Sequence, residues 1–528
     1  MMQYLLAADV DQIQGYIFGT VRMRTIRGAS ALVALLGEQV RSLAPTVSPS
    51  CQCLRHQGGQ FVFIAQEPEK LAQMIQQETQ KIGGGALGIT IGWEAYPGAE
   101  HFAQTQAAVF RKIKHLKETN QRGGRSSGIL GGGFIRHCDL CKQYPAMPNP
   151  EKPAELIWSP GDDPAEARHL CLACWKRKQG AEAIKMDQQL DTAIRAEQAR
   201  LKKPVWPADF QPKFPADLEQ IWPPGQEGRL IGIVAADGDG IGQLLDKIPE
   251  PQLYQRFADA IEKVSLQAVA RAICQVGLDR KKSRWVEVLP IIYGGDDLTL
   301  FLPAEKVLSF ALALGNAFAD LTGKDPSLAN DPDTQAIQQV LSLCRPGETH
   351  LTLSMGVVAA KPSFPFVALH RLAGELRKNA KRQRASRKIT EGMLDFAMIT
   401  SANAEKLETM RKHYARTEAG AEYSLTSWPY KFSDLANLLT LCSQVTAEVP
   451  QRSQRKYLYS EFWRTRPAAE AAYRALVKKS GLENTRKTLQ AFGCSKPKQT
   501  PFSGPESDRT VLLDALEITE LVEERRPA

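Results

Sequence analysis

No stretch of this 528-residue chain approaches the roughly 20 consecutive apolar residues of a membrane-spanning helix, which argues against a helical membrane protein. The opening, MMQYLLAADVD, lacks a basic segment, and acids soon break its short apolar run; no secretory signal is expected, and the cytoplasm is the expected compartment. A GxxxxGKS/T phosphate loop is missing, and so is a Rossmann glycine fingerprint, which argues against a motor ATPase or a nicotinamide enzyme. Ten cysteines in a chain of this length do not make a secreted disulfide scaffold. Charge of one sign is not concentrated: the net charge is +9, which permits polyanion binding without demanding it. The 43% hydrophobic and 24% charged fractions are those of an ordinary globular protein. The length suggests about three or four domains.

What the chain does have is one pattern written twice. RLIGIVAADGDGIGQLL reads as a buried strand ending at Asp237, then a glycine-broken turn into a helix. Downstream, VEVLPIIYGGDDLTLFLP reads as a β-hairpin with Gly294, Gly295, Asp296 and Asp297 at its tip. Near the N-terminus, QYLLAADVDQIQGYIF ends its strand at Asp9, and LRHQGGQFVFIA repeats the hairpin with Gly58, Gly59, Gln60 and Phe61. Each copy continues into a third strand (LGITIGW, LTLSMGV) and then a basic helix (FRKIKHLKE, LRKNAKRQR). The order suggests a tandem duplication in which only the second copy keeps its hairpin acids.

The organisation follows from these repeats. A first unit spans 1–125 and a cysteine-containing module with a helix spans 126–200. A proline-rich connector covers 201–228, the second unit 229–425, and a helical C-terminal domain 426–528. In the last of these no cluster suggests chemistry, and packing or docking is the expected role.

A strand followed by a hairpin brings Asp237 beside Asp296 and Asp297 at one end of a sheet. Carboxylates are the ligands magnesium and manganese favour. Two such ions about 4 Å apart can activate a hydroxyl and stabilise a leaving pyrophosphate. Gly294 and Gly295 permit a sharp turn and close approach of a nucleotide. Gly238 leaves its carbonyl to face a metal or phosphate. The bland alternative for GGDD alone is a solvated turn, but the duplicated context favours a metal-nucleotide site. In the basic helix, Lys378, Lys381 and Arg382 fall within one turn and could share a face. In the first copy a neutral Gln60 and an apolar Phe61 cannot offset divalent charge, so that copy should not catalyse. Arg22, Arg24 and Arg27 are candidates for phosphate or RNA contacts, with an ordinary surface role equally open.

HCDLCKQYPA and HLCLACWKRK form two C-x-x-C knuckles, Cys138, Cys141, Cys171 and Cys174. Two matched knuckles point to one tetrahedral zinc, and four sulfur ligands imply a closed structural site. The adjoining His137 and His169 are not needed.

DGDG on the strand and IIYGGDD on the hairpin resemble the palm of GGDEF-type nucleotidyl cyclases. The tandem arrangement with an interposed cysteine module, and the opening DVDQIQGYIF...RTIRGAS, resemble more narrowly the large palm-domain subunit of type III CRISPR effector complexes, of the Cmr type. The likeness runs over nearly the whole chain, most strongly over 1–60, 138–174 and 229–400. It implies an α+β fold with two tandem ferredoxin-like palms, a zinc-binding insertion and a helical C-terminal domain. It further implies an antiviral nucleotidyltransferase that joins ATP into cyclic oligoadenylates on target RNA binding. Asp237, Asp296 and Asp297 would then hold Mg2+ or Mn2+, with Gly238, Gly294, Gly295 and Lys381 binding nucleotide. Lys381, in the pair Ala380-Lys381, stands where GGDEF-like enzymes direct a lysine at the triphosphate; the usual downstream glycine-arginine is absent, leaving Arg384 and Arg387 unassigned. Other subunits of the complex, guide RNA and target RNA are the implied partners, with no membrane. Many relatives begin with an HD nuclease domain; this sequence starts at the palm and has no His-Asp doublet, so DNA cleavage in cis is not expected. The alternatives are a stand-alone GGDEF-like cyclase making a dinucleotide messenger and a non-catalytic scaffold subunit.

Overall fold

The computed structural model describes residues 2–20, 22–119, 136–147, 158–159, 168–182, 185–202, 212–222, 230–280, 285–399, 407–418, 420–503 and 508–523. The glycine-rich segment RGGRSSGILGGG and residues 203–211 and 223–228 of the connector lie outside them.

The first unit is built as β1 (Gln3–Asp11), α1 (Ile13–Ile17), α2 (Met23–Val47), β2 (Gln52–Arg55), β3 (Gln60–Ala65), α3 (Pro68–Gly83), β4 (Gly88–Tyr96) and α4 (Phe102–Glu118). Its antiparallel sheet has the order β2-β3-β1-β4. β5 (Trp158–Ser159) and β6 (Arg168–His169) pair within the cysteine module, followed by α5 (Leu172–Glu182) and α6 (Lys185–Arg200).

The second unit repeats the plan: β7 (Ile231–Gly238), α7 (Ile241–Leu245), α8 (Pro251–Val276), a two-stranded ribbon of β8 (Asp279–Arg280) and β9 (Trp285–Val286), then β10 (Leu289–Gly294) and β11 (Asp297–Pro303). After these come α9 (Ala304–Ala319), α10 (Pro332–Cys344), β12 (Leu353–Ala360), α11 (Phe366–Ser386) and β13 (Met393–Met398). The segment between α9 and β12 is partly helical: Asp331 caps α10 by accepting from the backbone N–H groups of Asp333 and Thr334. Then follow α12 (Leu407–Lys412), the hairpin β14 (Ala415–Glu418) and β15 (Ala421–Ser424), β16 (Tyr430–Lys431), α13 (Phe432–Glu448), α14 (Arg452–Arg464), α15 (Arg466–Ser480), α16 (Glu483–Ala491) and α17 (Leu512–Glu523). The sheet order is β10-β11-β7-β12-β13-β16. Its first four strands match the first sheet position for position, and both follow the βαββαβ succession. β16 extends the second sheet past residue 425.

Why β1 and β7 are unbroken apolar runs is visible in the packing. LLAA and IGIVAA are covered on both faces, so alternation is absent. One core gathers Leu5, Ala7 and Val62 with Val234, Ala236 and Tyr254; another gathers Leu6, Ala8 and Phe61 with Ile231, Ile233 and Phe301. Both cores therefore draw on both units. At their contact Phe102 meets Tyr254 edge-on at 5.6 Å. The two glycine hairpins also touch: a Cβ built on Gly294 would lie 3.5 Å from the Gly58 Cα. Among the described residues no helix is long and apolar enough to cross a membrane.

Candidate active site and cysteine centre

The sheet ladder fixes where the acids fall. Ala236 faces Leu298 on one side and Met355 on the other, so Asp237, one residue on, lies at the strand end level with Asp297, the first residue of β11. Gly295 turns the hairpin with φ of 63°, in the left-handed region, and a Cβ there would meet nothing within 4 Å. The tip is therefore open. Asp296 folds back over the β7 strand end, its Oδ2 2.9 Å from where a Gly238 Cβ would stand. A side chain at Gly238 would displace it.

Two cations from α11 meet these acids. Arg377 Nη1 donates to Asp297 Oδ1 at 2.8 Å and lies 3.9 Å from Asp237 Oδ1. Lys381 Nζ bonds Asp237 Oδ2 and donates to the Gly238 carbonyl at 3.1 Å. That carbonyl, expected to be left for a metal or phosphate, is thus engaged by Lys381. Arg377, Lys381 and Arg384 are spaced i, i+4, i+7 and form the site-facing stripe of α11. Lys378 and Arg382 are exposed, so of the expected trio only Lys381 reaches the acids, and its companions there are Arg377 and Arg384. The error was one of helical phase. Burial, then the neighbouring Asp237 charge, pushes Asp296 up to about 6. Burial also raises Asp297, with Arg377 opposing the shift.

Asp239, the second acid of DGDG, was not singled out and does different work. It is buried, accepts from Thr352 Oγ1 at 2.7 Å and Ser354 Oγ at 2.6 Å, and pairs with Arg384 Nε at 3.3 Å. Arg345 Nη2 donates to the Gly240 carbonyl at 2.7 Å. These bonds pin the turn that follows Asp237. The signal in the sequence was the D-x-D spacing, which sets a second acid just past the end of β7.

The first unit keeps the pinned half of this arrangement. Asp9 and Asp11 are bridged by Lys117 of α4, at 2.7 and 3.2 Å, and Thr90 Oγ1 donates to Asp11 at 2.8 Å. Lys117 corresponds in place to Lys381, and Thr90 to Ser354. Asp9 pairs with Gln60 and Ala8 with Phe61. Gln60 is thus the counterpart of Asp297, Gly59 of Asp296, and Phe61 of the core residue Leu298: the hairpins align one residue away from the GG-over-GG match. Either way the acids are gone. Arg22 and Arg24 are exposed, whereas Arg27 is buried, bonded to Asp187 Oδ1 at 2.7 Å and donating to the Pro290 carbonyl at 3.2 Å. Its role is to tie the first unit to α6 and β10, which corrects its candidacy for phosphate or RNA.

Cys138, Cys141, Cys171 and Cys174 converge, with all four sulfurs within 4.8 Å of one another. Cys141 and Cys171 sulfurs stand 3.8 Å apart. A tetrahedron with zinc–sulfur bonds of about 2.3 Å has edges of about that length, so the cluster fits zinc. Arg177, buried, donates to the Tyr16 carbonyl at 2.7 Å, stacks on the Tyr16 ring at 4.4 Å and reaches Cys174 Sγ at 3.8 Å. It fastens the cysteine centre to the first unit. The three acids of the second unit offer oxygen ligands of the right charge for a magnesium or manganese ion. They are less closely gathered than the sulfurs, since Arg377 and Lys381 stand among them.

Residues 230–390 match the family model described as Cas10/Cmr2, second palm domain. A comparison with curated proteins finds no match. Among solved structures, the chain is similar to a Csm1-Csm4 cassette in complex with cA4, at 13% identity and a TM-score of 0.55, covering 99% of this chain and 70% of that one. It is similar to Csm1 in T. onnurineus at 12% identity and a TM-score of 0.55, covering 100% and 70%. A Csm1-Csm4 cassette in complex with one ATP gives 14% identity and a TM-score of 0.54, covering 99% and 70%. Identities this low speak to the fold and not to the chemistry. Residues 230–390 accordingly match the second palm domain of Cas10/Cmr2, in a chain whose fold is similar to that of Csm1.

Proposed function

We propose that the chain is the large subunit of an RNA-guided type III CRISPR effector complex, and that its second palm joins ATP into cyclic oligoadenylates when target RNA is bound. The observation that carries this reading is the meeting of Asp237, Asp296 and Asp297 at one sheet end, beneath an open glycine tip. The family match over the same residues supports it, as do the similar cassettes in complex with ATP and with cA4.

Asp237, Asp296 and Asp297 would hold the divalent ions. When bound, Mg2+ or Mn2+ supplies activation of the attacking hydroxyl and charge for the leaving pyrophosphate. Gly238, Gly294 and Gly295 keep side chains out of the space the phosphates need. Lys381, now on Asp237 and the Gly238 carbonyl, turns to phosphate once the acids are otherwise neutralised, and Arg377 beside it shares that role. The first unit acts as the inactive palm, keeping Asp9 but presenting Gln60 opposite it. The four cysteines hold a structural zinc, and the region after 425 serves assembly with the other subunits.

The test is incubation of the full chain with labelled ATP and Mg2+, alone and within its complex, with complementary or non-complementary RNA. Cyclic oligoadenylate should form with complementary RNA, be absent without the divalent ion, and vanish in Asp296→Ala with Asp297→Ala. A preference for GTP giving a cyclic dinucleotide from the isolated chain would instead mark a stand-alone cyclase. Product from the double variant at the wild-type rate would remove the assigned site.

A further inference from the structure

We propose that Arg177 is the counter-ion of the metal-loaded cysteine centre, and that it couples the metal state of that centre to the position of α1 in the first unit. This rests on reading the four cysteines as a zinc site. Arg177 lies three residues after Cys174 on α5 and is only 3% exposed. Its Nη1 donates to Cys174 Sγ at 3.8 Å and its Nη2 to the Tyr16 carbonyl at 2.7 Å, while Nε, also buried, has no partner. The module is held close to the first unit around this contact. A Cβ on Gly180 would stand 2.8 Å from the Gly28 carbonyl oxygen of α2, and one on Gly84 2.8 Å from the Ala173 nitrogen.

A guanidinium keeps its charge when buried, and a buried charge with no opposite charge beside it is costly. Among the described residues no carboxylate pairs with Arg177. Asp139, the acid of the first knuckle, stands instead 3.7 Å from Arg136 and 3.3 Å from Lys142. The sulfurs are left to answer the charge, and Cys138, Cys171 and Cys174 are each 2% exposed or less. Neutral thiols would not answer it. Four thiolates around a divalent zinc carry a net double negative charge, which in a buried place needs a cation as much as Arg177 needs an anion. Metal and guanidinium therefore stabilise one another. The same guanidinium holds the Tyr16 carbonyl and lies 4.4 Å from the Tyr16 ring. At the other end of α1 is Ile13, whose Cδ1 would stand 2.9 Å from a Cβ on Gly59. α1 is thus set between the cysteine centre and the glycine hairpin of the first unit.

The experiment uses full chains: wild type, Arg177→Lys, which keeps the charge, Arg177→Gln, which keeps hydrogen bonding alone, and Arg177→Met, which keeps packing alone. Zinc affinity is read by competition with a chromophoric chelator. Hydrogen–deuterium exchange of the α1 amides is followed by mass spectrometry before and after chelation. Arg177→Gln and Arg177→Met should hold zinc about tenfold to a hundredfold less tightly than wild type, the loss found when a group supporting a metal ligand is removed. Arg177→Lys should stay closer to wild type. Chelation of the wild type should speed exchange in α1, and zinc-loaded Arg177→Met should exchange faster there already. A side chain that only packs would give another order, with Met at least as good a replacement as Lys. Zinc held as tightly by the Gln or Met variant as by the Lys variant overturns the proposal while the zinc reading stands, and so does α1 exchange that chelation leaves unchanged. Should Arg177→Met fail to fold, Lys against Gln still decides. Cys138→Ser is the control for the centre: if wild type holds no zinc, or this variant holds it as tightly, the zinc reading fails and the proposal with it.

Discussion

A single methyl group at position 356 should disable the site without touching it. Gly356 lies mid-strand on β12, between Ala235 of β7 and Asp395 of β13, with α11 packed across it. A Cβ there would stand 2.0 Å from the Ala373 carbonyl oxygen and 2.5 Å from the Arg377 backbone nitrogen. Both are backbone atoms of α11, so no side chain can swing aside. Relief requires the helix to withdraw by about 1 Å or more, and Arg377 and Lys381 withdraw with it. Overpacking of this kind costs about 1–3 kcal/mol of stability. A displacement of about 1 Å among reacting groups costs around a hundredfold in rate. Gly356→Ala should therefore fold, with a lowered Tm, and lose product formation from ATP far out of proportion to its stability. The matched control is Gly374→Ala on α11 itself, where a Cβ meets nothing within 4 Å. It should be neutral, or more stable by about 0.5–1 kcal/mol. Thermal unfolding and a labelled-ATP assay on both variants check this. Wild-type Tm and wild-type product yield in Gly356→Ala would refute the claim that the α11–β12 approach sets the position of the two cations.

Asp237→Ala should abolish product as fully as loss of the two hairpin acids does, whereas Gln60→Ala should change the labelled-ATP yield little. One zinc per chain should copurify by elemental analysis; Cys138→Ser or Cys171→Ser should lower solubility or Tm, since closed thiolate sites contribute apparent energies on the order of 10 kcal/mol to small zinc domains. Stability should fall as pH rises through neutrality. Burial pushes Asp514 up to about 7 and Glu517 up to about 8, against ordinary values of 3.8 and 4.5. The folded chain thus keeps protons the unfolded chain has shed, and the stability they supply is complete below the unfolded values and lost as pH climbs through the folded ones. Tm measured from pH 5 to 9 should show the decline, and Asp514→Asn with Glu517→Gln should flatten it.

Much of the site was legible because its logic is local. A strand ending in Asp237 and a glycine turn followed by Asp296 and Asp297 are contiguous signals, and the ladder does the rest. The paired C-x-x-C knuckles were legible for the same reason. Helical phase was harder: LRKNAKRQR offers five cations, and the choice of Arg377 over Lys378 depends on which face of α11 meets β12. Loop length hid the true alignment of the hairpins, since two glycines in each copy invite superposition although only the strand register decides it. Arg27 looks like a surface arginine until Asp187, 160 residues later, comes beside it.

Cores that draw side chains from both βαββαβ units make the pair indivisible. Cutting the chain at the proline-rich connector would strip Leu5, Ala7 and Phe102 from Val234, Ala236 and Tyr254 and leave each half with an oily face. The two units should melt in one calorimetric transition, and an excised GGDD half should aggregate. A rigid swing of one unit against the other would open the same apolar seam, so the control by RNA proposed above would have to work through lighter parts: the glycine tips, α11 and the side chains that reach across the seam.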